Sequence, residues 1–212
     1  MGVPNDKDFQ RKVLLSLLEL FKRTDGPVII HDFAEDAPET DDDIEALSCP
    51  VSFEDEKADD LDPLKSGFIR EIQAMHPWYE MALKKRGSTT VGGSGIEISF
   101  LGEFLYSFVV GTIPDNPRDD VYISVTLKLA AEDLKAYYVE GVTAQPGQEG
   151  LSSRALKEWF WNKTTAGKVL IELIKVCSKN EDEMIRMTGS YFIAPMDVLM
   201  AKGVAVLNNF KK

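Results

Sequence analysis

The chain has 212 residues, 44% of them hydrophobic and 28% charged, and a formal charge of -11; this composition excludes global disorder and supplies enough apolar surface for one substantial core without disulfides. Such a negative balance argues against nucleic acid or an anionic membrane as the main partner, because both reward a basic surface. The acid is concentrated between Asp32 and Asp62, where fourteen Asp or Glu face one Lys, a net of -13 that leaves the remainder at +2.

Two cysteines, Cys49 and Cys177, fit a reducing compartment and form no C-x-x-C or zinc spacing. The opening MGVPNDKDFQRK lacks the apolar core of a signal peptide. No run reaches the length a membrane span needs, since Glu97 and Glu103 interrupt the best candidate. A cytoplasmic protein without membrane insertion is expected.

From Asp8 to Lys22, Val13, Leu14, Leu17, Leu18 and Phe21 recur at helical spacing, with Arg11, Lys12, Ser16 and Glu19 opposite. The spacing predicts an amphipathic helix ended by Gly26 and Pro27. Residues 27 to 33 (PVIIHDF) read as a short extended segment. Residues 34 to 62 carry the acid, prolines and scattered apolar side chains (Ile44, Leu47, Val51, Phe53). They read as an acidic loop or strap on the surface of the domain, or as an acidic-hydrophobic segment that docks a basic partner.

From Leu64, a stripe of Phe68, Ile72, Met75, Tyr79 and Leu83 predicts a helix with a bend or restart at Pro77. Lys84, Lys85 and Arg86 suit the negative end of its dipole, and Gly87 suits its stop. Gly92, Gly93, Ser94 and Gly95 then form a turn, and Ser94 stands three residues before Glu97, the spacing of a capping box. The stretch from Gly95 to Val110 is apolar nearly all round, which predicts the central core helix. The turn, with its exposed amides beside the Lys84, Lys85 and Arg86 triplet, is the candidate ligand site, for phosphate or carboxylate. It carries neither the P-loop nor the dinucleotide pattern.

Residues 121 to 129 alternate as a strand does, yet Ile123, Leu127, Ala131, Leu134 and Tyr138 also share one helix face. Good helix formers afterwards favour a helix from about Thr126. A strand here would pair with 27 to 30 (PVII) and change the class to α+β with a short two-stranded element. Ser152 or Ser153 caps the next helix, whose seam runs from Leu156 to Cys177 with a bend at Gly167. Asn180 caps a short helix ended by Gly189, and Pro195 opens another ended by Gly203.

Trp159, Phe160 and Trp161 put three consecutive rings on several faces at once, which predicts that one reaches a second surface. With Met196 and Met200 on the last helix, Trp159 and Trp161 form the candidate interaction surface. His31 with Asp32, Glu35 and Asp36 is too local for a metal geometry, and Asp41, Asp42, Asp43 and Glu45 lack the glycine and glutamate of a calcium loop, so no metal site is expected. Neither cysteine has an activating base beside it in sequence.

These observations predict an all-α protein, one globular helical-bundle-like domain of about seven helices spanning 1 to 212. No catalytic constellation or cofactor motif assembles from the sequence. The leading reading is a cytoplasmic accessory protein acting through a protein partner or larger complex. The alternative is a small-ligand or anion-binding protein, or an enzyme, using the 92 to 95 turn.

Overall fold

The computed structural model describes residues 6–26, 28–36, 62–148 and 151–204. Among them the protein is all-α, with eight α-helices: α1 (Lys7–Glu19), α2 (Pro63–Arg86), α3 (Ile98–Val109), α4 (Ile123–Val142), α5 (Ser153–Lys163), α6 (Thr165–Cys177), α7 (Glu183–Tyr191) and α8 (Met196–Ala201). One 3-10 turn, Leu20–Lys22, continues α1. The acidic stretch is described only at its edges, so the expected strap at 34 to 62 lies almost wholly outside the described residues.

Helices α2 to α8 share one core. Its centre is the crossing of α2 on α4, the most extensive helix pair, where Gly141 lets α4 approach Met75 and the Tyr79 backbone. Helix α3 lies across α2 and α6, with Gly102 against Ile69 and Ile72. Tyr137 and Tyr138 of α4 are fully buried. Their hydroxyls donate to the Ile72 carbonyl and the Glu71 carboxylate, both at 2.8 Å, so each ring adds apolar area without an unmet hydroxyl.

Several expectations need correction. Helix α2 continues unbroken through Pro77. Helix α3 starts at Ile98, and its N-cap, Glu97, makes no side-chain cap bond; Ser94, expected in a capping box with it, instead donates to Asp133 and accepts from the Ile96 amide. Helix α3 is also less enclosed than its composition suggested, for Phe100 is 64% exposed while Leu101 and Leu105 are fully buried. Helix α4 begins at Ile123, three residues earlier than expected, because the alternating residues join its first turn.

The predicted long helix is two. Thr164, extended at ψ 151°, ends α5 and caps α6 by accepting from the Gly167 amide. Gly167 permits the sharp return: a Cβ there would lie 2.2 Å from the Phe160 carbonyl oxygen. Asp182, not Asn180, caps α7, and Gly189 lies inside that helix against Cys177.

The N-terminal helix is organised differently. Only Phe9 of α1 is buried, and the Phe33 ring meets it edge-on at 5.9 Å. Lys12 and Glu35 pair at 2.8 Å. The chain from 28 to 36 therefore returns along α1 without forming a helix or strand.

Candidate functional site

The connection from α2 to α3 is where the predicted ligand residues meet, and α4 organises it. Helix α2 ends as its sequence suggests, with Lys84, Lys85 and Arg86 in the last turn and Gly87 left-handed at φ 69°. The chain then turns down onto two carboxylates of α4. Glu140, 4% exposed, accepts from the Thr90 amide (2.9 Å), the Thr90 hydroxyl (2.8 Å) and the Thr89 hydroxyl (2.9 Å). The Arg86 guanidinium lies 3.7 Å from its Oε2.

Asp133, 2% exposed, sits two helical turns earlier on the same face. Its Oδ1 accepts from the Gly92 and Gly93 amides at 2.9 and 3.0 Å, and its Oδ2 from the Ser94 amide and hydroxyl at 2.8 and 2.6 Å. Gly92 adopts φ 117° to aim these donors inward. The turn thus forms the amide nest its composition implied, and the anion it holds is the protein's own carboxylate. An external phosphate or carboxylate here would have to displace Asp133.

Glu71 of α2, 3% exposed, repeats the device at another helix start. It accepts from the Thr165 and Ala166 amides at 2.7 and 2.9 Å, at the positive end of α6, and from the Tyr138 hydroxyl. Three buried carboxylates thereby stitch chain turns to helices. Sequence reading missed all three. The available signal was that Ala130, Asp133, Tyr137 and Glu140 form one row of α4, so the acids share the face of a core tyrosine.

Two concavities flank the turn. A cleft of ≈410 Å³ lies between α2 and the start of α3, with Ile72, Ile98 and Tyr137 as apolar wall and Gln73, His76, Glu97 and Ser99 at its edge. The His76 ring approaches Glu80 at 3.6 Å. A second, of ≈360 Å³, is bounded by Ala82, Lys85, Arg86, Thr143 and Ala144. It gathers two of the three predicted basic residues, but beside the C-terminal ends of both α2 and α4, whose carbonyl dipoles offset their charge. The glycine turn and the basic triplet therefore do not converge on one anion pocket.

The predicted interaction surface divides. Trp159 and Trp161 are 0% and 5% exposed and belong to the core, which corrects their assignment. All three consecutive rings find cover because α5 packs on α4 and on the returning α6; Phe160 stands edge-on to Tyr138 at 5.5 Å and to Trp161 at 5.1 Å. Met196 and Met200 are exposed, along with Met184, Met187 and Phe192. A larger apolar exposure lies on α1 and the turn after it, where Leu14, Leu15, Leu17, Leu18 and Phe21 are 47 to 81% exposed.

Cys177 is 1% exposed and packs as an apolar group, and its burial pushes the thiol up to about 12. Asp62 caps α2 and accepts from the Tyr106 hydroxyl at 2.7 Å. Burial and that bond raise the Tyr106 phenol to about 12, while the hydroxyl holds the Asp62 carboxyl below its usual range. Among the described residues no group of His, Cys, Asp or Glu could hold a metal ion, and no helix is long and apolar enough to cross a membrane. In comparisons with known proteins, no family model, curated protein or solved structure matches this chain.

Proposed function

We propose that this is a cytoplasmic accessory protein that acts by binding another protein. One observation carries the reading: five large apolar side chains of α1 and its terminal turn stand open to solvent side by side, while the body buries most of its rings, Tyr137, Tyr138, Trp159, Phe160 and Trp161 among them, and leaves Phe100, Tyr122 and Phe192 exposed. Contiguous exposed apolar surface on a helix is characteristic of protein contact sites. The methionine side chains of α7 and α8 offer a second, adaptable surface. Asp133, Glu140 and Glu71 are committed to backbone and hydroxyl donors that hold the fold together.

The test is co-purification of tagged full-length protein from its native cells, with Leu17→Ser/Phe21→Ser and Met196→Ser/Met200→Ser variants alongside. The reading expects a stoichiometric partner that at least one variant loses while the melting temperature stays within about 2 °C, as surface changes allow. A wild-type protein that purifies alone, or partners indifferent to both variants, overturns it.

A second reading rests on the ≈410 Å³ cleft beside His76, whose apolar wall and polar edge suit a small amphiphilic ligand. Thermal-shift titration with nucleotides, phosphate, acyl-CoA and small amphiphiles tests it. No shift with any of them removes it.

A further inference from the structure

We infer that α1 docks into an apolar groove with an acidic rim on a different protein. This rests on the interaction reading above and names the docking element and the chemistry of its partner.

At 3.6 residues per turn, Leu17, Leu14, Leu18 and Leu15 cover about 160° of the helix circumference. All four are exposed, and Phe21 in the following 3-10 turn is 81% exposed. The side carrying Phe9 and Lys12 is the one that the 28 to 36 stretch covers, through Phe33 and Glu35. The open leucine face lies about opposite it, so among the described residues the chain's own return leaves the most apolar side bare. A strict two-helix seam occupies a narrower stripe. A face this wide is covered only by a concave surface, with Leu14, Leu17 or Leu18, and Phe21 as anchors at the spacing of a helix laid in a groove.

Charge selects among occupants. Lys7 and Arg11 fall within the open arc on the helical projection, whereas Asp8 and Glu19 fall outside it. A second copy laid face to face would bring base against base and leave the flanks of the apolar face uncovered, which disfavours self-pairing. An anionic bilayer would satisfy the lysine and arginine. It would repel the fourteen acids between Asp32 and Asp62, the first of which stands 13 residues after the end of α1. A protein groove with carboxylates on its rim fits both the leucines and the base, and presents no extended negative plane to that stretch.

The test places p-benzoylphenylalanine singly at Leu14, Leu18 or Phe21, on the open face, and at Lys12 or Glu19, on the other side, in full-length protein irradiated in its native cells. The expected result is one heterologous adduct from the open-face positions only. Its yield falls about tenfold with Arg11→Glu and again with Leu17→Ser, as for central anchors of an interface, and peptide mapping puts the partner's attachment points among apolar residues flanked by Asp or Glu. Adducts to a second copy, equal adducts from both sides, or none overturn the inference. So does a yield unchanged by Arg11→Glu, or stronger binding of the purified protein to vesicles of equal parts phosphatidylcholine and phosphatidylserine than to neutral ones. If a partner persists in Leu17→Ser/Phe21→Ser protein and is lost only in Met196→Ser/Met200→Ser protein, the α1 inference fails while the interaction reading stands.

Discussion

Replacing Asp133 by alanine tests whether the α2–α3 connection is held by one internal anion. The carboxylate accepts four hydrogen bonds, from the Gly92, Gly93 and Ser94 amides and the Ser94 hydroxyl. Gly92 and Gly93 are exposed, so water can take over their donors. Ser94 is fully buried, and each of its two stranded donors costs about 1–3 kcal/mol. Losing the desolvated carboxylate returns part of that, which places the net loss near 4 kcal/mol, within the range for breaking one side of a buried charged network. For a chain of this size the melting temperature should fall by about 8–16 °C. Urea unfolding followed by circular dichroism measures the loss. Ser94→Ala alone removes one donor and should cost about 1 kcal/mol. The double variant should cost less than the sum, since the two changes delete the same bond. An Asp133→Ala loss below about 1 kcal/mol, or strict additivity with Ser94→Ala, would refute the account of the turn.

Two glycines should respond in opposite ways to a single methyl. Gly167→Ala meets the Phe160 carbonyl oxygen at 2.2 Å and backbone cannot yield, so a loss of about 3 kcal/mol is expected despite the gain in helix propensity. Gly102→Ala meets the Cδ1 ends of Ile69 and Ile72 at 2.6 and 2.9 Å, which can rotate, and the Phe68 ring at an ordinary 3.7 Å, and should change stability by under about 1 kcal/mol. Equal melting temperatures for the two variants would contradict this packing. At high pH the Tyr106–Asp62 bond gives a further check. Because the folded-state phenol is raised to about 12 from 10.0, the folded protein keeps its proton while the unfolded chain loses it. That contribution is complete below pH 10 and declines as pH rises toward 12. Tyr106→Phe should flatten the fall in urea midpoint across this window; an unchanged slope would show that the phenol does not titrate with unfolding.

The class, the stop of α2 and the start of α5 were legible in the sequence because they rest on local chemistry. Ser152 before its helix and Gly87 after three cations each specify a terminus through their own backbone or side chain, whereas Asp62, the cap of α2, reads in sequence as the last of the acidic stretch. The division at Thr164 was not, because the Leu156 to Cys177 seam keeps its period across the break. What turns the chain is the tertiary accommodation of Gly167 against Phe160. For the same reason Trp159 and Trp161 read as surface. Their cover comes from α4 and α6, the second of which returns only once the helix breaks. The glycine turn was read as exposed amides open to an external anion, whereas they meet Asp133, an acceptor 39 to 41 residues away in sequence and beyond any local pattern.

That separation sets an order of events. Thr89, Thr90, Gly92, Gly93 and Ser94 have acceptors on α4, at sequence distances of 39 to 51, so the turn cannot acquire its final backbone angles until α4 has formed and come to rest against α2. A spectroscopic label near Ser94 would consequently be silent during helix formation and respond to docking alone, giving a clock for the late, long-range stage of folding that helical circular dichroism does not resolve.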